Sequence, residues 1–226
     1  MTYPHRENLP HMPDRIRRLP VSEKGYPVPY FVAWIDGVPD FRVSDPEKLV
    51  KCVRQYRCWI CGEPLSRYVA FNIGPMCAVN RISAEPPSHT DCALFAAKAC
   101  PFLTLPKAVR RESNLPAEIS DPAGVMIDRN PGVALVWITK EFRRMRADGG
   151  AGVLFQIGDP TETFWFAEGR EATTQEVMDS IASGLPILQK LATQDGPEAV
   201  RELAMMTREA MRYVPVGNAD TAASAP

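Results

Sequence analysis

Four side chains in this 226-residue sequence are spaced to grip one ion. Cys58-Trp-Ile-Cys61 puts two thiols two residues apart, and Gly62 follows them. Such a turn aims both sulfurs at one point, and the glycine lets the backbone fold back close to a metal. Downstream, His89-Thr-Asp-Cys92 supplies a second pair. Ser88 there can cap a helix with Asp91 three residues on, which predicts a capping box with His89 and Cys92 on one face of the first turn. Three thiolates and an imidazole form a closed set of the kind that holds structural zinc.

Cys77 and Cys100 compete for a place in that set. Cys77 follows the Gly74-Pro75 turn and could displace His89 as a ligand. Cys100 lies eight residues beyond Cys92, some 12 Å further along a helix, too far for the same ion. Cys52 reads as a small buried apolar residue. A redox role for Cys58-x-x-Cys61 needs a βαβ context that the sequence lacks.

These ligands have to be positioned. Residues 28–43 read as a hairpin around Asp36-Gly37, and Asp45-Pro46 as the start of a helix that delivers the chain to Cys58. Between the ligand pairs, Tyr68 to Ile73 reads as a strand, Gly74-Pro75 as a turn and Met76 to Ile82 as its returning partner. The ligand helix is expected to run to Cys100 and stop at Pro101. Later, Val133 to Thr139 reads as a buried strand, and VLFQI and TFWFAEG as a hairpin turned by Gly158-Asp159-Pro160. A helix from Thr174 is expected to close at Gly184, Pro186 to start a short one and Pro197 the last. That last helix is expected to bury Val200, Leu203, Ala204, Thr207 and Met211.

The fold class is therefore α+β. Its regions are a flexible Pro-rich arm (1–25), a zinc-binding treble-clef region (26–103) that opens with the hairpin and helix, a linker (104–122), an α+β region of a hairpin and helices (123–214), and a disordered tail (215–226).

Composition narrows the function. No apolar run approaches the ~18 residues of a membrane span, and no signal-peptide core opens the chain, which points to a cytoplasmic protein with no membrane partner. Six cysteines then read as thiols and ligands, not disulfides. The net charge of −1 conceals a polarity. Residues 51–111 hold nine Lys/Arg against three Asp/Glu, whereas residues 112–226 hold ten against seventeen. The basic segment could meet nucleic acid, or a nucleic-acid-processing protein, through Arg54, Arg57, Arg67, Arg81 and Lys98, with Lys107, Arg110 and Arg111 beside them. Trp59 and Tyr68 could stack on bases.

The order CxxCG, hairpin, HxxC on a helix resembles the treble clef of HNH endonucleases that carry a structural zinc. Those enzymes place a catalytic histidine in the intervening hairpin and an asparagine shortly before the second pair, a place that Asn80 takes here. No histidine lies between Cys61 and His89, so the resemblance implies the shape and not the nuclease. Over residues 21–195 the chain also resembles a family associated with phages, prophages and their bacterial hosts. The stretches CWICGEPL, GPMCAVNR and EPPSH carry it, and it brings no known activity.

The expected function is a non-catalytic zinc-stabilised protein that contacts nucleic acid. The alternatives are an interaction module using the acidic half, or a diverged HNH-like nuclease. An enzyme in the second half would have to rely on carboxylates such as Glu141, Asp159, Glu162 or Glu168, because no histidine or cysteine follows Cys100.

Overall fold

Asp36 and Gly37 both adopt positive φ, 52° and 79°, as a tight hairpin turn demands. They close β1 (Val32–Ile35) onto β2 (Val38–Ser44) in antiparallel register. The computed structural model describes residues 3–105, 131–147 and 152–216. The expected linker lies almost wholly outside these residues, as does the tail beyond 216. From the hairpin the chain enters α2 (Pro46–Gln55). The Asp45 carboxylate accepts the N–H groups of Glu47 and Lys48, and Pro46 occupies the first turn, where no N–H is missed. Before the hairpin comes one turn of helix, α1 (Asp14–Arg17).

A four-stranded antiparallel sheet organises the rest. Its order is β3 (Val69–Ile73), β5 (Ala134–Thr139), β8 (Pro160–Ala167), β9 (Arg170–Glu171). Every residue of β5 is buried. Covered on both faces, a central strand reads as an unbroken apolar run, and VALVWIT is such a run. One face carries Ala70, Val136, Ile138 and Phe166, on which α4 (Thr90–Ala99) packs through Ala93 and Ala97. The other carries Val69, Phe71, Leu135, Trp137 and Trp165. There the covering helices are α3 (Pro75–Asn80), α6 (Thr174–Asp195) and α7 (Pro197–Ala210), bringing Met76, Val79, Val177, Ile181 and Ala210. A short helix, α5 (Pro101–Thr104), follows α4, and a 3-10 turn (Met211–Tyr213) follows α7. A second sheet has the order β4 (Ile82–Ser83), β7 (Val153–Ile157), β6 (Phe142–Arg146), which leaves β6 at an edge.

The α+β class holds, and several local expectations do not. Residues 76–80 are helical instead of a returning strand, because Pro75 opens a helix at its first position. No hairpin therefore joins the two ligand pairs: β3 and β4 belong to different sheets. Gly158-Asp159 does not turn a hairpin either. It carries the chain from one sheet to the other, and β7 pairs with β6 instead. Helix α6 runs through Gly184 and Pro186 without stopping and ends at Gly196. On α7, Val200 and Ala204 are exposed, and the core takes Leu203, Met206 and Ala210, with Met211 from the 3-10 turn beside them. The strand β3, from the region expected to bind zinc, pairs along its whole length with β5 of the later region, so the two share a sheet and a core.

Candidate metal centre

Cys58, Cys61, His89 and Cys92 come together. Their ligand atoms all lie within 4.8 Å of one another. The Nδ1 of His89 is 3.3 Å from Cys61 Sγ and 3.9 Å from Cys92 Sγ. A tetrahedron of Zn–S bonds about 2.3 Å long has edges of about 3.8 Å, so the group is the right size for one ion. It could hold a metal ion, and its soft thiolates and imidazole exclude the hard, oxygen-seeking cations.

Backbone geometry produces this convergence. The N–H of Cys58 bonds to Glu63 O, and its carbonyl accepts from Gly62 at 2.9 Å. Gly62 has φ 76°, and a Cβ there would meet the Tyr30 ring at 2.6 Å, so position 62 needs glycine on two counts. The N–H groups of Cys61 and His89 both point at Cys58 Sγ, each at 3.4 Å. The His89 N–H, which an α-helix leaves without an internal partner at its N-cap, goes to sulfur, and α4 begins at Thr90 with no side-chain cap. The predicted capping box is thus absent: Ser88 instead exchanges backbone hydrogen bonds with Ala70, and Asp91 accepts from the N–H of Cys92.

The imidazole is oriented by its far nitrogen. Nε2 lies 2.9 Å from the Pro64 carbonyl, which can only accept, so Nε2 carries the proton and Nδ1 is left to bind. Protonation within the group is shared. Burial opposes ionisation of Cys58, but hydrogen bonds from Cys61, Cys92 and His89 outweigh it and hold the thiol far below its ordinary value. Hydrogen bonding to Cys58 and Cys61, together with burial, pushes Cys92 up. Burial would lower His89, yet bonds to Cys58 and Cys61 raise it to about 10. A cation displaces these protons when it binds.

The arm expected to be flexible over residues 1–25 is docked on this centre through Leu9, Met12, Ile16 and Leu19. Ile16 is 1% exposed and packs in one cluster with Cys58, Ile60, Cys61, Cys92 and Phe95. Arg15 pairs with Asp91 at 3.2 Å and Arg18 with Glu63 at 2.5 Å, so α1 is tied to both ligand-bearing segments. Cys52 is the buried filler expected: its thiol, pushed up to about 12 by burial, donates to Cys58 O. Cys77, the alternative ligand, sits on α3 against the large core and takes no part in the group. Cys100 caps the end of α4.

The basic candidates are dispersed. Arg54, Arg67 and Lys98 are exposed. Arg57 is engaged inside, donating to Gly62 O at 2.8 Å and bracing the Cys58–Cys61 turn. Arg81 is also structural: it pairs with Asp159 at 3.1 Å and lies over the Trp137 ring at 4.5 Å. Lys107, Arg110 and Arg111 lie outside the described residues. Trp59 is core, stacked on Phe31, whereas Tyr68 is 45% exposed with Lys140 over its ring.

One basic feature was not legible by segment. A groove of about 850 Å³ runs between α2, Pro86-Pro87 and β6, and brings Lys140, Arg143 and Arg144 from the acidic half beside Arg54. The only sequence signal for it is the run KEFRRMR, diluted when charge is summed over the whole second half. Comparison of the chain with protein-family models, with curated proteins and with solved structures gives no match.

Proposed function

We propose that the chain is a non-catalytic protein stabilised by structural zinc, and that it contacts nucleic acid through the basic groove beside the metal centre. The observation that carries this reading is the closed ligand group: three thiols and an imidazole, all buried, with the fourth position filled by protein. Catalytic zinc keeps a position open for water or substrate, and structural zinc does not. The HNH-like alternative is left without a base, since His89 is spent on the group and residues 62–88 contain no histidine. In place of a treble-clef hairpin, the ligand pairs are bridged by β3, α3 and β4, a further departure from that alternative.

A cytoplasmic setting agrees with cysteines that serve as thiols and candidate metal ligands. Among the described residues no helix is long and apolar enough to cross a membrane. The interaction-module reading draws support from Met178, Ile187, Val200 and Met205, all exposed on α6 and α7.

Metal analysis of purified protein tests the zinc assignment. One zinc per chain is expected, lost in Cys58→Ser and His89→Ala and retained in Cys77→Ser. Zinc retained in His89→Ala but lost in Cys77→Ser would overturn the ligand set. Binding to nucleic acid that is indifferent to salt would overturn the electrostatic contact.

A further inference from the structure

The groove has two features that the metal centre does not explain. The first is its charge. Arg54, Lys140, Arg143 and Arg144 line it with two carboxylates, of which Asp159 is matched by Arg81; Arg144 is steadied by donating to Val53 O at 2.9 Å and Lys140 lies over the Tyr68 ring. The second is Tyr56. It ends α2 in the left-handed region, φ 53° and ψ 57°, where glycine commonly closes a helix and a bulky side chain is strained. Its ring nevertheless stands 43% exposed in the groove, stacked parallel to Phe142 at 5.9 Å. Glycine would end this helix with less strain, and the ring contact that the tyrosine gains in exchange is the stack on Phe142.

We infer that the groove binds single-stranded nucleic acid, with phosphates on Arg54, Lys140, Arg143 and Arg144 and an unpaired base on Tyr56. This deepens the nucleic-acid reading above and rests on it. Cations that follow a phosphate backbone beside an aromatic platform are the usual recipe for single strands. A duplex keeps its base faces inside its own stack and would leave Tyr56 unused. An acidic peptide would satisfy the cations but not the ring. The exposed Tyr68, with Lys140 over its ring, extends the alternation of cation and aromatic. The metal enters indirectly. The groove wall includes Leu65, whose N–H bonds to Tyr56 O, and Pro87, whose carbonyl accepts from Trp59 inside the Cys58–Cys61 turn.

Fluorescence anisotropy on the zinc-loaded full chain tests this, with labelled oligothymidylate, a labelled hairpin duplex and polyglutamate as probes. Oligothymidylate is expected to bind most tightly, with log K falling against log salt at a slope of about −3 for four phosphate contacts. Combining Arg54→Ala, Lys140→Ala and Arg143→Ala should flatten that slope by about 2. Tyr56→Gly should weaken binding about tenfold or more at unchanged slope, with the thermal midpoint as its folding control. Tyr56→Asn, which also tolerates the left-handed backbone, repeats the test if glycine perturbs the fold. Duplex bound as tightly as single strand, or label displaced by polyglutamate at equal charge, overturns the single-strand assignment alone. Wild-type binding undiminished in both the charge and Tyr56 variants overturns the groove and leaves the broader reading standing. No binding to either nucleic acid overturns both.

Discussion

The cluster around the metal centre and the core around Trp137 are held together by different physics. The first buries seven residues, three of them the ligand cysteines, and only Ile16, Ile60 and Phe95 among them are large. The second buries sixteen, with Phe71, Trp137 and Trp165 on one face of the four-stranded sheet, Phe155 from the second sheet beside them and three helices over them. Apolar burial alone suffices for the second. In the first, three segments far apart in the chain meet over little hydrophobic area, and an ion held by the four ligands would join two of them directly in place of the missing core. Where a core is thin, the ligands are the core.

The harshest test of this contrast removes the ligands. Structural zinc contributes on the order of 10 kcal/mol to small domains, so Cys58→Ser or chelation should open the metal-held half while the sheet persists. Hydrogen exchange should show residues 14–18 and 58–63 losing protection and β5 keeping it. Simultaneous loss in both would mean one cooperative unit and would abolish the distinction. Next in size, Trp137→Ala removes a fully buried indole that donates to Gly158 O and underlies Arg81. A loss of about 3–5 kcal/mol is expected in denaturant unfolding, with zinc content unchanged in the folded protein. Zinc lost together with the indole would show the two regions to be coupled.

Ile16→Ala works from the other side. It should cost about 2–4 kcal/mol and speed metal release to a chelator, since the arm covers the ligand cysteines. A release rate equal to wild type would show the docked arm to be ornamental. The smallest effect belongs to Glu176, far from the metal. The Arg170 guanidinium and the Thr173 N–H hold its carboxyl at about 2. A depressed folded value stabilises above the unfolded carboxylate range and is lost as pH falls from about 4.5 through 2. Solvent screens this exposed pair, so Glu176→Gln should cost about 1 kcal/mol at neutral pH and converge with wild type in acid. A difference independent of pH would assign the effect to the helix cap alone.

The metal site was legible because its information is local. Two thiols and a glycine within five residues, and a histidine and a thiol three apart, specify geometry that tertiary context merely assembles. Cys77 stayed in contention because sequence gives no distance between α3 and the Cys58–Cys61 turn. The capping box at Ser88 failed because Ala70, eighteen residues away, claimed the Ser88 N–H that the box requires. Short apolar runs misled in a consistent way: PMCAVN is too brief for its period to separate helix from strand. Gly158-Asp159-Pro160 has turn chemistry, but which sheet receives each flanking strand is decided elsewhere. Gly158 in fact sits where a Cβ would strike Glu141 O at 2.6 Å, a close approach of β6 that no local pattern encodes. The groove was hidden for the same reason, since its cations come from both sides of residue 112.

The docked arm also sets an order of events during synthesis. Arg15, Ile16 and Arg18 leave the ribosome before Glu63 and well before Asp91 and Phe95 exist to receive them. Those early residues have to wait, unpartnered, until α4 has been made and drawn to the Cys58–Cys61 turn. A segment made before its partners is thereby among the last to settle.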